Sequence, residues 1–167
     1  LIEGLLALGR ASVDDLERVT QDIAQIVRER VENWEPLATE QGVQVTASIP
    51  SSVTVLAVPT AIEQIVDNYV DNALSLMPEG GELTVTVEHR DSRAVLTVSD
   101  TGPGIDQEQA ARAFDRFWRG NATHQGTGLG LAIVRQLAES SHATVALRPR
   151  AGGGTDATAS FETAKSQ

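Results

Sequence analysis

The stretch Gly126–Val134 places the strongest constraint on how this chain folds, because glycines alternate at Gly126, Gly128 and Gly130 and an apolar helical pattern follows directly. Alternate glycines leave no side chain between the main chain and a ligand. The helix that follows presents unpaired N–H groups and the positive end of its dipole, which favour a bound phosphate. An ordinary loop before a capped helix has the same pattern, so the rest of the chain must decide.

Composition excludes several ways of holding an anion. The chain has 167 residues, of which 41% are hydrophobic and 22% charged, as is typical of one globular domain. With 13 basic and 23 acidic residues the net charge is −10, so we expect no nucleic-acid surface. There is no cysteine for disulfides or thiolate metal sites. The single lysine, Lys165, lies third from the end, and no P-loop or Rossmann glycine motif occurs, which excludes those phosphate sites.

Hydrophobic periodicity predicts an α/β fold in which helices and short strands are interspersed. Apolar residues at helical spacing predict helices at 19–38 (entered through Asp14 or Asp15), 59–77, 106–113 and 129–137. Alternating apolar residues predict strands at 43–47, 53–57, 82–90, 93–99, 144–148 and 157–161. Asp91-Ser92 is the predicted turn of a hairpin. We expect one domain over 13–162 and a frayed tail at 163–167.

The helix at 59–77 carries an unusual polar stripe. Gln64, Asn68 and Asn72 are spaced four residues apart and therefore share one side of the helix, with Ser75 close by. Asparagine is a poor helix former, so two of them one turn apart require a reason. A solvated face is one interpretation. The other is that Asn72, together with Asn68, offers amide oxygens to a hard cation such as Mg²⁺.

The strand at 93–99 runs directly into the loop Asp100–Ile105, which contains Gly102 and Gly104. One carboxylate beside two glycines suits a base or sugar held against the main chain, with Asp100 accepting a hydrogen bond from an exocyclic amine. The alternative is an ordinary Asx turn after a strand. Further along, 120–125 shows no periodicity and follows aromatic and arginine residues, so we expect a mobile loop able to close over a ligand.

Five motifs then occur in a fixed order: NYVDNA at 68–73, DTGPGI at 100–105, FDRFW at 114–118, GTGLGLAIV at 126–134 and GGGT at 152–155. In this order they resemble the ATP-binding catalytic domain of bacterial sensor histidine kinases, a branch of the GHKL superfamily. The first four resemble the family's N box, first glycine box, F box and second glycine box. The resemblance covers essentially the whole chain, with 1–12 similar to the end of the preceding dimerisation helix.

The resemblance implies a GHKL-type two-layer sandwich, with a mixed, mostly antiparallel sheet of about five strands, about three helices on one face and an ATP lid at 115–125. It implies ATP and Mg²⁺ as cofactors. The implied metal ligands are Asn72, Asn68 and Gln125, and the implied catalytic residues are Asn68, Asn72, Arg116 and Arg119. The implied nucleotide contacts are Asn68, Asn72, Asp100, Gly102, Gly104, Ile105, Phe117, Gly126, Thr127, Gly128, Leu129, Gly130, Leu131 and Thr155. Asp100 would read the adenine amine, and Thr155 would support Asp100 or a water beside the base.

The activity implied by the resemblance is transfer of the ATP γ-phosphoryl group to a histidine on a dimerisation domain, from which a response regulator takes it. The family acceptor is a histidine followed by an acidic residue, and His89, His124 and His142 all lack one. We therefore expect this chain to lack its acceptor. The resemblance also implies that the chain is monomeric and that its parent is a homodimeric membrane receptor with this domain in the cytoplasm. A serine kinase of the anti-sigma-factor type and a non-catalytic nucleotide sensor are the alternatives.

The sequence departs from the family pattern directly after the N box. Ser75 and Leu76 stand where the family usually has a basic residue and then a tyrosine. A cation for the phosphates and an aromatic wall for the adenine are therefore missing at these positions, so we expect weaker ATP affinity. The predicted lid is also short, with only two residues between Thr123 and the glycine turn.

Overall fold

The computed structural model describes residues 17–115 and 130–165. Within these ranges the chain forms four helices and seven strands. In chain order the elements are β1 (Val19–Asp22), α1 (Ile23–Glu40), β2 (Gln44–Ser48), β3 (Thr54–Ala57), α2 (Ala61–Leu76), β4 (Glu82–Arg90), β5 (Arg93–Asp100), α3 (Gln107–Arg112), α4 (Gly130–Ser140), β6 (Thr144–Pro149) and β7 (Thr155–Glu162).

The core of the fold is a five-stranded mixed sheet in the order β2-β4-β5-β7-β6. Strands β2 and β4 are parallel and the other pairs are antiparallel. Helices α1, α2 and α4 cover one face. Along β4 and β5 every second side chain is buried against these helices, because successive side chains of a strand point to opposite faces. The predicted α/β two-layer sandwich with a mostly antiparallel sheet is therefore confirmed.

Helix α2 buries one of its faces in the core. Its apolar stripe, which includes Ile62, Ile65 and Tyr69, is almost completely buried. The Tyr69 hydroxyl donates a hydrogen bond to the main-chain oxygen of Thr158 at 2.8 Å, which satisfies the only polar atom of that side chain and joins α2 to β7. Because the apolar stripe fixes the rotation of α2, the neighbouring amide stripe has a fixed direction as well.

The structure corrects the predicted start of the first helix. Residues Val19–Asp22 form β1, which pairs antiparallel with β3 in a separate two-stranded sheet, and helix α1 begins only at Ile23. The β-branched Val19 and Thr20 suit a strand, and pairing with β3 satisfies their main chain in a way that helical spacing alone does not reveal. The predicted entry residues Asp14 and Asp15 lie outside the described residues, and the observed N-cap is Asp22.

The end of the described chain also differs from the predicted fraying. The main-chain N–H groups of Thr163 and Ala164 donate to the oxygens of Ser92 and Thr54, both at 2.9 Å. Thr163 also forms a bridge with Val55, so the chain after β7 contacts the small β1–β3 sheet. These main-chain bonds hold the first residues of the predicted tail in place.

We expect Asp22→Ala to lower the free energy of unfolding by about 1–2 kcal/mol near neutral pH, as loss of an N-cap does. Asp22 Oδ1 accepts hydrogen bonds from the N–H groups of Ala24 (3.1 Å), Gln25 (3.4 Å) and Val53 (3.1 Å), and Oδ2 accepts from the Ser52 hydroxyl (2.9 Å). Desolvation is the largest single influence on the pKa of Asp22 and raises it, but these four bonds together lower it below its ordinary value.

The sign of that pKa shift gives the pH dependence. A carboxyl with a lowered pKa contributes stability above its ordinary pKa and loses it as the pH falls through the lowered value. Urea unfolding should therefore show that the difference in unfolding free energy between the wild-type chain and Asp22→Ala is largest near neutral pH and becomes smaller in acid. Asp22→Asn, which retains an N-cap acceptor, should keep most of the stability near neutral pH. An Asp22→Ala loss that is equal at all pH values would contradict the assignment.

Candidate functional site

The site is organised by the carboxylate of Asp100, which lies where β5 ends. Strand pairing places Asp100 directly opposite Thr155, the first residue of β7. Asp100 Oδ1 accepts hydrogen bonds from the N–H groups of Gly102 at 3.0 Å and Thr155 at 3.3 Å. Both bonds end on the same oxygen, so Oδ2 has no hydrogen-bond partner among the described residues. Three of the predicted nucleotide contacts are thus brought together around one carboxylate.

The pKa of Asp100 is raised above its ordinary value. Burial is the largest cause, because the low-dielectric surroundings disfavour the charged form. The N–H groups of Gly102 and Thr155 and the positive charge of Arg150 lower the pKa of Asp100, whereas the negative charge of Asp156 raises it. Since Oδ1 already accepts two hydrogen bonds, a proton taken up by this carboxyl belongs on Oδ2. Protonation would convert the free oxygen from an acceptor into a donor.

Two turns pack main chain against main chain beside Asp100, and both depend on glycine. Gly154 has a φ of +100°, and a Cβ at this residue would collide with the main-chain oxygen of Asp100. Gly104 has a φ of +84°, and a Cβ there would lie 3.2 Å from the main-chain oxygen of Gly154. Any side chain at either position would push the two turns apart. The close approach of these turns forms a floor of main-chain atoms next to the carboxylate.

The N-box asparagines have different surroundings. The Asn68 side-chain amide donates to the main-chain oxygen of Gln64 at 2.8 Å. Its Oδ1 faces the start of α4, where a Cβ at Gly130 would lie only 2.9 Å away. Asn72 is half-buried, and its main-chain oxygen accepts from the Ser75 hydroxyl at 2.8 Å. Gly130, a residue of the second glycine box, therefore lies against Asn68.

Part of the predicted site lies outside the described residues. This applies to Arg116, Phe117, Arg119, Gln125, Gly126, Thr127, Gly128 and Leu129, whose roles stay predictions. Within the described part, Ile105 and Leu131 are half-buried and pack against the hydrophobic core. The first-glycine-box loop also passes close to the end of α2, because a Cβ at Gly102 would lie 3.8 Å from the main-chain oxygen of Leu76.

Arg150 is a neighbour of the site that the sequence analysis missed. It lies in the turn between β6 and β7, and its Nη1 donates to the main-chain oxygen of Asp100 at 3.4 Å. The GGGT motif predicted a tight turn here, but a single arginine before three glycines carries no periodic or spacing signal. Only the approach of this turn to the end of β5 shows that Arg150 contacts Asp100.

In the ranges 17–115 and 130–165 there is no group of three or more histidine, aspartate or glutamate side chains arranged to hold a metal ion. A cation bound among these residues would therefore rely on amide oxygens and on oxygens of its ligand. None of the described helices has the length and apolarity needed to span a membrane.

Comparison with known protein families gives a match over most of the domain. The family described as histidine kinase-, DNA gyrase B- and HSP90-like ATPase matches residues 57–165. The sensor histidine kinase TmoS of Ectopseudomonas mendocina is 32% identical over 138 residues, which are 80% of this chain and 14% of TmoS. The chain thus spans only a small part of that relative's length.

Solved structures show the same fold. Full-length ShkA in complex with AMPPNP superposes with a TM-score of 0.83 at 29% identity, covering 99% of this chain and 36% of ShkA. The histidine kinase ThkA in complex with the response regulator TrrA superposes with a TM-score of 0.80 at 21% identity, covering 98% of this chain and 46% of ThkA. At that lower identity the likeness to ThkA concerns the fold alone.

Proposed function

This chain belongs to the histidine kinase-, DNA gyrase B- and HSP90-like ATPase family, and from that premise we propose that it is the catalytic domain of a sensor histidine kinase. In this proposal the domain binds Mg·ATP and transfers the γ-phosphoryl group to a histidine on the dimerisation domain of its parent protein. The observation that carries the proposal is the Asp100 carboxylate, which is held by two N–H groups on one oxygen and leaves the other oxygen to accept a hydrogen bond.

Adenine is the base that fits this carboxylate. Its exocyclic amine donates a hydrogen bond, whereas guanine presents a carbonyl oxygen at the equivalent position. An ionised Asp100 accepts from the amine and repels the carbonyl. The glycine floor beside it allows a flat base to approach the main chain closely, because Gly104 and Gly154 have no side chain to block it.

The residues beside the base fit a hard cation. Asn72 supplies an amide oxygen from α2, with Asn68 and Gln125 as its predicted partners, and oxygen is the ligand type that Mg²⁺ prefers. When bound, Mg²⁺ would supply positive charge against the negative charge that develops on the phosphates during transfer. Asn68 has a second task in this proposal. Its Oδ1 lies so close to Gly130 that a Cβ there would be only 2.9 Å away, so the start of α4 packs directly against α2. This packing relates the proposed metal ligands on α2 to the proposed phosphate site at the start of α4.

The remaining work is positioning of the triphosphate. Phosphoryl transfer needs little covalent chemistry from the protein, so alignment and charge stabilisation account for most of the rate. Helix α4 begins at Gly130, within the second glycine box, and the N–H groups of a helix's first turn can donate to phosphate oxygens. Arg116 and Arg119, the predicted arginines of the lid, would balance the charge that accumulates on the transferred group.

In this proposal the domain uses ATP, passes its phosphoryl group on to a response regulator, and lies in the cytoplasm. The ShkA complex with AMPPNP supports ATP as the nucleotide. In this proposal the final phosphoryl acceptor is a response regulator, as the resemblance to sensor histidine kinases implies. We place the domain, at 13–162, in the cytoplasm as part of a homodimeric membrane receptor. In this arrangement the chain by itself is a monomer.

We expect this chain to bind Mg·ATP without labelling its own histidines, and to label a dimerisation domain that is added separately. The experiment incubates the chain with γ-labelled ATP, alone and with a dimerisation domain carrying its histidine, and follows the label by electrophoresis with and without acid treatment, because phosphohistidine is lost in acid and phosphoserine is not. Label on His89, His124 or His142 would contradict the proposal that the acceptor histidine lies on a separate dimerisation domain. Transfer to a serine of a partner would indicate the anti-sigma-factor type of kinase, and tight binding without any transfer would indicate a nucleotide sensor.

A further inference from the structure

The turn between β6 and β7 is closed by two main-chain hydrogen bonds. The Arg150 N–H donates to the Gly154 oxygen at 3.0 Å, and the Gly153 N–H donates to the Arg150 oxygen at 3.1 Å. Gly152, Gly153 and Gly154 all have positive φ, so the chain makes a tight reversal that only glycine adopts easily. Because Gly154 also packs on the Asp100 main chain, this turn holds the half-buried Arg150 beside the end of β5.

We propose that Arg150 is a positioning residue for base selection: it anchors the Asp100 main chain from the β6–β7 turn and supplies the positive charge that keeps the neighbouring carboxylate an acceptor. This inference rests on the proposed ATP-binding function and extends it to a residue outside the four boxes. Arg150 acts through Asp100, because its Nη1 donates a hydrogen bond to the Asp100 main-chain oxygen at 3.4 Å.

The charges around Asp100 oppose one another. Among the described residues, Arg150 in the turn lowers the pKa of Asp100, and Asp156 on β7 raises it. Asp156 has one buried carboxylate oxygen without a hydrogen-bond partner among these residues, and Arg148 lies directly opposite it on β6. Burial already raises the pKa of Asp100. Removal of the Arg150 charge should therefore raise it further, and removal of the Asp156 charge should lower it.

The consequence for the nucleotide follows from the free oxygen of Asp100. The ionised carboxylate accepts from the adenine amine through Oδ2. Once protonated, Oδ2 is a donor that faces the adenine amine unfavourably and suits the guanine carbonyl oxygen. The preference for ATP over GTP should therefore fall on acidification, with a midpoint set by the pKa of Asp100 in the nucleotide site. The phosphates of ATP and GTP titrate alike, so their protonation cancels in the ratio of the two affinities.

The test measures that ratio between about pH 4 and pH 8 by competition against a fluorescent ATP analogue, with circular dichroism at each pH to verify folding. Arg150→Gln should move the midpoint upward by about half to one pH unit, and Asp156→Asn should move it downward. Arg150→Lys keeps the charge and should restore most of the wild-type midpoint. Arg148→Gln is the matched control, because it removes the same charge two residues away on β6.

The outcomes separate this inference from the function on which it rests. A wild-type ratio near one at every pH, unchanged by Asp100→Asn, would overturn the proposed base site and this inference with it. A pH-dependent wild-type ratio with the same midpoint in Arg150→Gln would overturn only the role of Arg150, as would an equal shift in Arg148→Gln. Should Arg150→Gln fail to fold, the Arg150→Lys and Asp156→Asn midpoints decide the question in the same way.

Discussion

Asn72→Ala should reduce Mg·ATP affinity by a factor on the order of 100 or more, as loss of a metal-site residue does, with little change in thermal stability. The Asn72 side chain forms no hydrogen bond with the described residues. The main-chain oxygen of Asn72 accepts one from the Ser75 hydroxyl. The amide is half-buried at the edge of the apolar stripe rather than within it. Its removal therefore takes away a ligand oxygen without opening the core.

Calorimetry with and without Mg²⁺ is the measurement that isolates this effect. The wild-type chain should bind ATP more tightly in the presence of Mg²⁺, and Asn72→Ala should lose that difference. Gln64→Ala is the matched control, because it removes another amide from the same helix, where Gln64 only donates to the Thr60 hydroxyl at 2.9 Å. Unchanged Mg·ATP affinity in Asn72→Ala would show that the metal site has been assigned to the wrong residue.

Gly154→Ala should cost about 3 kcal/mol or more of unfolding free energy, because it combines an unfavourable main-chain conformation with a collision. The φ of Gly154 is +100°, and the new Cβ would collide with the Asp100 main-chain oxygen. Asp100 belongs to β5, and antiparallel pairing with β4 on one side and β7 on the other restrains this strand. The main chain cannot relax without disturbing the sheet and the Asp100 carboxylate together.

Gly152→Ala separates the two causes of that loss. Gly152 has a similar φ of +88°, but a Cβ there would have no atom within 4 Å. It should therefore lose only the cost of the left-handed conformation, about 1–2 kcal/mol. Urea unfolding of both variants measures the difference, and the ATP-over-GTP preference should fall only in Gly154→Ala. Equal losses of stability in the two variants would mean that the packing against Asp100 contributes nothing.

Much of the fold could be predicted because its elements are marked by local periodicity. Strands β4 and β5 alternate buried and exposed side chains, and α2 carries its apolar residues at helical spacing. Strand β1 could not be predicted in this way. Its four residues continue into the helical pattern of α1, and only pairing with β3, more than 30 residues later, gives them a partner. A tertiary contact here overrides a local pattern.

The candidate site divides along the same line. The order of the motifs indicated Asp100 as the base reader, because a carboxylate beside glycines after a strand is a local feature. The pairing of Asp100 with Thr155, the close approach of Gly154 and the contact from Arg150 arise from the β5–β7 ladder. No spacing rule connects these residues, since the two strands are joined through α3, α4 and β6.

By itself, then, the sequence determined the α/β fold, the family and the residue types that suit Mg·ATP, because burial periodicity and glycine-dependent turns are local properties of a chain. Only the tertiary structure decided which oxygen of Asp100 accepts the N–H groups of Gly102 and Thr155, which charges act on this carboxyl, and that the Asn68 side-chain oxygen lies against Gly130. These features depend on distances between segments far apart in sequence. Such distances are fixed when the sheet and its helices pack, and not before.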